Sequence, residues 1–208
     1  THGNFQSGDF NGLSHSAATG FANGFFIDRP CLVDIADVRV SNSFCADITW
    51  MITTGVSIGY PDGTFRPSSG LSRQAMASFL YRLAGSPRVA SDAPPFVDVP
   101  PGHAFYDAIV WMASVGLADG FPDGTFRPTD QLSRQALASF LHRLAGAPAP
   151  STSAPTFSDV PPTHPFVTSI GWMAGAGVTQ GYGDGTFRPD ATLTRQALSA
   201  FLHRYDEL

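Results

Sequence analysis

Arg73, Arg134 and Arg195 stand 61 residues apart, each directly after a hydroxyl residue: Ser72, Ser133 or Thr194. A Ser or Thr ahead of an apolar-periodic run reads as a helix N-cap, which puts each arginine at the first helical position. The helix dipole is positive at that end, so a cation there is electrostatically disfavoured. Three repeats of this placement make chemical sense if an anion joins the exposed N–H groups of the helix, with the guanidinium as a second clamp. The alternative is a salt bridge from each arginine to an aspartate of another repeat.

Other residues recur with the same step. Trp50, Trp111 and Trp172 are all the tryptophans of the chain, and they read as core residues or as platforms for a sugar ring. Asp37, Asp98 and Asp159 are each followed by Val; they are expected to cap or orient the helix that follows, or to accept hydrogen bonds from sugar hydroxyls. Arg66, Arg127 and Arg188 precede a proline in a turn, where bonds to carbonyls or to Asp would organise the loop. Arg82, Arg143 and Arg204 fall near a helix C-terminus, where a cation is favoured. Nine of the 12 arginines thus occupy three positions repeated three times, and the chain has no lysine.

Several classes of chemistry are poorly served by this composition. Only 14% of the 208 residues are charged, the net charge is −5, and Glu207 is the one glutamate. Acid–base catalysis by carboxylates would have to run on Asp alone. The acidic balance argues against nucleic acid, whose binding rests on excess basic residues. No apolar run is long enough to span a membrane. His103 and His164 align with Asn42, and His142 and His203 with Tyr81, so no triplicated histidine site exists; the Asp-Gly loops lack a calcium-loop pattern. No metal and no cofactor is expected, and no nucleophile elbow, phosphate loop or dinucleotide fingerprint occurs. Cys31 and Cys45 would form one disulfide in an exported protein or remain two buried thiols. The chain begins at Thr1 without a Met, which reads as a processed product or a fragment.

The elements that must position these residues follow from the repeat. DGTFRP occurs at 62–67, 123–128 and 184–189, and the units are taken as 35–85, 96–146 and 157–207. The second and third units share 28 identities over 51 positions without a gap. Within a unit, apolar spacing predicts a helix over about 105–115 that ends at Gly116, the counterpart of Gly55 and Gly177. A second helix begins after the Ser/Thr cap and stops at Gly85 or Gly146. The Asp-Gly turn and the proline after it separate the two. The fold class expected is all-α, three helix-loop-helix repeats. The spacers 86–95 and 147–156 are rich in Pro, Ala and Ser and read as extended connections. Residues 1–34, with five phenylalanines, read as an irregular segment, either a linker or the remnant of an upstream domain.

An Asp-Val start, a first helix, YPDGTFRP at 60–67, FPDGTFRP at 121–128, YGDGTFRP at 182–189 and a Ser/Thr-Arg dipeptide opening a second helix together resemble the S-layer homology domain. The resemblance implies three copies assembled with pseudo-threefold symmetry. It also implies non-covalent attachment to a bacterial cell envelope through a secondary cell-wall polysaccharide or peptidoglycan-linked glycopolymer, often bearing pyruvyl groups. The location implied is extracellular, at the wall or surface, and the module itself is non-catalytic, with an upstream catalytic domain left open. The family's motif arginine maps to Arg73, Arg134 and Arg195, and each groove between repeats is expected to present this arginine and the adjacent Ser72, Ser133 or Thr194 to the ligand. Two departures stand out: the glutamate that ends that motif is replaced by Ala75, Ala136 and Ala197, and the tryptophan common at the first helix is missing from all three copies. The glutamate would complete a capping box, so its loss bears on helix stability rather than on the ligand site. A second reading, a protein–protein module that self-assembles in a surface lattice or fibre, uses the same body.

Overall fold

The computed structural model describes Cys31, residues 35–89 and residues 94–208. Six helices follow one another: α1 (Cys45–Thr53), α2 (Arg73–Leu83), α3 (Tyr106–Ser114), α4 (Arg134–Leu144), α5 (Val167–Gly175) and α6 (Arg195–Asp206). Among the described residues there is no strand, only isolated bridges, so the fold is all-α. Of the segment 1–34, to which the irregular N-terminal reading applies, all but Cys31 lies outside the described residues.

The long helices start where the sequence places them. Ser72, Ser133 and Thr194 are the N-caps of α2, α4 and α6, and their side chains accept the amide N–H of Ala75, Ala136 and Ala197. A hydroxyl satisfies that third orphan donor even without a glutamate to complete the box. The shorter helices start differently. Phe44, Phe105 and Phe166 are their N-caps and make no side-chain cap bond. Instead Asn42 Oδ1 accepts from the Phe44 amide at 2.9 Å, while His103 Nδ1 and His164 Nδ1 accept from the Phe105 and Phe166 amides at 3.2 Å. Asn and His are interchangeable here because each offers one acceptor two residues ahead of an amide.

Helix pairing crosses the repeat boundaries. α2 packs on α3, α4 on α5, and α6 returns to pack on α1. The second helix of each unit therefore covers the first helix of the next, and the third unit closes on the first. At the centre the closure is drawn in backbone bonds. Leu132 N donates to Leu71 O (2.7 Å), Leu193 N to Leu132 O (2.8 Å), and Leu71 N to Leu193 O (2.8 Å). These three leucines are 1% exposed, and Phe65, Phe126, Phe187, Met76, Leu80 and Leu137 are fully buried around them. The three units share one continuous core with pseudo-threefold symmetry.

One connection differs from the expectation. The spacer after the second unit packs against α5: the bare Gly171 faces Pro150, and Gly175 lies close to Ser151 and Ala154. Glycine on that helix face lets the spacer backbone approach, so this stretch is packed structure rather than free connection. A disulfide joins Cys31 to Cys45 at the start of α1, with the Cα atoms 5.3 Å apart.

Candidate functional site: three grooves between units

Each motif arginine leaves its own unit. Arg73 Nε donates to Phe126 O at 2.7 Å, Arg134 Nε to Phe187 O at 2.7 Å, and Arg195 Nε to Phe65 O at 2.6 Å. Each guanidinium thus reaches across a seam to the loop of the following unit, with Arg195 of the third reaching the first. There it meets three rings. Arg73 lies 5.0, 4.6 and 5.9 Å from the centroids of Phe121, Phe126 and Phe140. Arg134 lies 4.9, 4.6 and 5.2 Å from Tyr182, Phe187 and Phe201, and Arg195 lies 4.9, 4.6 and 5.2 Å from Tyr60, Phe65 and Phe79. The aromatic walls were legible in principle, because all nine rings follow the 61-residue step; sequence reasoning missed them because it sought an anion at the helix N-terminus, or a carboxylate of another repeat, as the arginine's partner.

The helix N-termini are not open to an anion as expected. The amide of Arg73 donates to Asp130 O and that of Gln74 to Pro128 O. Arg134 and Gln135 donate to Ala191 O and Pro189 O, and Arg195 and Gln196 to Ser69 O and Pro67 O. With the third amide held by the Ser or Thr cap, the first turn is already satisfied by the neighbouring loop. The salt-bridge alternative fails as well, because among the described residues no carboxylate lies within 4.0 Å of Arg73, Arg134 or Arg195.

What remains is the guanidinium itself. Arg134 and Arg195 are only 7% and 6% exposed. Burial pulls the pKa of all three arginines below the ordinary value, yet a guanidinium remains protonated at neutral pH. Among the described residues neither terminal nitrogen of these side chains has a hydrogen-bond partner. A desolvated cation with donors to spare is complementary to an anion that brings two oxygens.

The groove around Arg73 is a cavity of about 350 Å³, lined also by Phe121, Ser133, Phe140, Arg143 and Asp119. Arg73 shares it with Ser133 of the next unit, not with the adjacent Ser72, so the expected pairing of neighbours in sequence becomes a pairing across the seam. Arg143 donates to Asp119 at 2.7 Å and to Leu117 O at 3.4 Å, fixing the loop at the groove's edge. Arg82 and Arg204 reach Val56 O and Val178 O in the corresponding loops.

A second arginine backs each groove. Tyr60, Phe121 and Tyr182 also carry Arg66, Arg127 and Arg188 over their rings, at 3.8, 3.7 and 3.8 Å from the centroid. These outer arginines are paired with Asp62, Asp123 and Asp184 at 2.9–3.0 Å. The loop-organising bond expected of them is to Asp.

Asp37, Asp98 and Asp159 do not cap the first helix of their units. Each carboxylate accepts two successive amides of its own turn: Phe65 and Arg66, Phe126 and Arg127, or Phe187 and Arg188, all at 2.7–2.8 Å. Burial pushes Asp159 up, but these amides outweigh it and hold its pKa below the usual carboxylate value. The partner lies 28 or 29 residues away, which no local capping pattern reveals. The tryptophans are buried at the seams, where Trp50 stacks on His203 (5.0 Å), Trp111 meets Tyr81 (5.7 Å) and Trp172 meets His142 (5.4 Å). They shape the seam and do not line the Arg73 groove.

Among the described residues no helix is long and apolar enough to cross a membrane. The family model described as "S-layer homology domain" matches residues 39–77, 95–138 and 156–198. "Cell surface glycoprotein 1" of Acetivibrio thermocellus is 33% identical over 158 residues, 70% of this chain and 7% of that protein. The "Cellulosome-anchoring protein" of the same organism is 28% identical over 153 residues, 70% of this chain and 34% of the relative. An "S-layer protein" of Bacillus licheniformis is 28% identical over 116 residues, 55% of this chain and 13% of the relative. The chain therefore spans only a minor part of the relatives it matches, and its own location is extracellular, at the cell surface or wall. With three matched regions that cover more than half of its length, one in each repeat, the chain belongs to the S-layer homology domain family.

Proposed function

We propose that this chain anchors a surface protein non-covalently to the bacterial cell wall, gripping anionic or acetal-bearing units of a wall glycopolymer in the grooves between its units. The observation that carries this reading is the triplicated arginine: three desolvated guanidinium groups, each held by one carbonyl bond and an aromatic wall, each with terminal donors unspent. A cation buried in this way without a counter-charge costs stability, and a bound anion offsets that cost. The aromatic residues around each guanidinium give the groove an apolar wall beside the charge, which suits a sugar carrying an acidic group. Three moderate grooves acting on one repeating polymer gain by effective concentration. The relative named for anchoring a cellulosome is consistent with this role. No catalysis is assigned to the domain.

The test is retention on purified sacculi. The protein is expected to sediment with sacculi and to be released once acid has stripped the wall polymer. The triple variant R73Q/R134Q/R195Q keeps an amide able to bond the loop carbonyl but removes the charge. It is expected to melt cooperatively and to lose at least about tenfold in wall affinity, each lost charged hydrogen bond being worth ~1.5–3 kcal/mol. A folded triple variant that binds as before, or binding that survives removal of the polymer, would refute the mechanism.

A further inference from the structure

We propose that the seam between the first and second units holds a further carbohydrate subsite, which takes a neutral pyranose residue next to the anionic unit gripped at Arg195. This rests on the reading of the grooves as glycopolymer sites and extends it to a place the repeat does not share.

The three seams are alike in backbone and different in side chain. At the second, His142 Nδ1 and Ser169 Oγ are hydrogen-bonded at 3.1 Å between α4 and α5. At the third, His203 Nδ1 meets Asp47 Oδ1 at 2.8 Å between α6 and α1. The 61-residue step puts Tyr81 and Ala108 at the first seam, and this pair cannot close it. Ala108 has no polar group, and the Tyr81 hydroxyl donates to Pro87 O at 2.9 Å. An open cavity of about 280 Å³ remains between α2 and α3, lined by Ser78, Tyr81, Arg82, His103, Tyr106 and Asp107.

Its chemistry is that of a sugar site. Tyr81 and Tyr106 stand in its wall, and the surface it offers is mostly polar, which suits the hydroxyls of a pyranose more than its C–H face. His103 accepts an amide at Nδ1, which leaves Nε2–H as a donor. Among the described residues the Tyr106 hydroxyl, the Ser78 hydroxyl and the Asp107 carboxylate have no hydrogen-bond partner. Sugar hydroxyls donate and accept, and so can serve all four. Asp107 and Arg82 bring one negative and one positive charge to the wall, which therefore has no net charge, and the expected occupant is neutral. Tyr106 and Asp107 belong to this seam alone, since the corresponding positions carry Cys45 and Ala46 in the first unit and Val167 and Thr168 in the third.

The cavity also shares a wall with the groove that Arg195 forms with the first unit. Ser78, Arg82 and Phe105 correspond by the repeat to Ser139, Arg143 and Phe166, which line the Arg73 groove. A polymer held at Arg195 therefore continues into the cavity along α2.

The experiment titrates the folded chain with two probes while following tyrosine and histidine ring resonances by NMR. One probe is acid-released wall polysaccharide. The other is a panel of neutral methyl pyranosides: glucose, galactose, N-acetylglucosamine and N-acetylmannosamine. At least one neutral pyranoside is expected to shift the rings of Tyr106 and His103 and not that of Tyr182. Y106V, which carries the residue the third unit uses at this position, is expected to abolish those shifts and weaken polysaccharide binding about fivefold to tenfold, as befits one lost aromatic and hydrogen-bond contact. R195Q is expected to reduce polysaccharide binding while the pyranoside shifts persist, so a failure of the anionic groove does not conceal the cavity. The inference is overturned if no neutral pyranoside moves the rings, if Y106V binds polysaccharide like the parent, or if R195Q removes the pyranoside response.

Discussion

Arg66, Arg127 and Arg188 adopt φ values of 58°, 57° and 59°, a left-handed conformation that a non-glycine residue reaches at a cost of roughly 1–2 kcal/mol. The following proline disfavours the right-handed alternative. The conformation is held from three sides: the Asp37-type carboxylate takes the backbone amide, the Asp62-type carboxylate takes the guanidinium, and the ring at position 60, 121 or 182 lies under it. Bonds from Thr64 and then Arg66 lower Asp62 to about 2 from its ordinary 3.8, and Asp123 and Asp184 behave alike with their own Thr and Arg. A carboxylate with a depressed pKa stabilises the fold fully above the unfolded value and loses that contribution as pH falls through the folded one. The thermal midpoint is therefore expected to hold down to about pH 4 and to fall between pH 4 and 2, in a pH series of melting curves. D62N/D123N/D184N is expected to flatten that fall. The sequence shows these residues and their turn; it does not show the Asp37-type clamp, because a carboxylate 28 residues upstream of an amide leaves no local signature.

At the scale of the helices, the repeat predicts where each one begins and ends to within a residue or so, since caps and glycine stops are local chemistry. Which helices touch is another matter. A two-helix unit with apolar stripes on both helices could satisfy them internally, and only the structure shows α2 on α3, α4 on α5 and α6 on α1. The side chains at these seams set their strengths. His203 is buried between Asp47 and Trp50, and among the described residues its Nε2 has no hydrogen-bond partner, Glu207 Oε1 lying 3.7 Å away. D47A would leave both ring nitrogens of a buried imidazole unsatisfied, and is expected to cost about 1–3 kcal/mol. S169A removes only a neutral hydroxyl from His142 and is expected to cost about 1 kcal/mol. Urea midpoints of the two variants check the order; an S169A loss equal to or above that of D47A would contradict the ranking.

For the whole molecule, closure changes the meaning of the repeat. In an open solenoid each unit contacts its neighbours in a line, and stability is nearly a sum over units. Here three leucine backbones bond head to tail in a ring, and every unit lends a helix to one neighbour and an arginine to the same neighbour. A chain ending at residue 155 would lose α5 and α6 and with them two of the three seams. It is expected to show no cooperative melting transition by circular dichroism, while the full chain melts in one step. A sharp transition in the shortened chain would mean that the units stand alone. The period of 61 told of three units and the family resemblance told of their symmetry, but the grooves arise only between units, so no residue pattern inside one unit could display them.

The disulfide from Cys31 to Cys45 gives the chain a mechanical property. Tension arriving along the chain from the N-terminal side does not pass through residues 32–44 while the bond is intact. It is delivered to the first turn of α1, which lies against α6 at the seam where the ring closes. The force on the tether is thereby shared at once with the third unit instead of peeling the first unit from its end. Reduction of that one bond would leave every groove in place and yet move the point of attack to the loop ahead of α1, turning a loaded ring into an unzipping one.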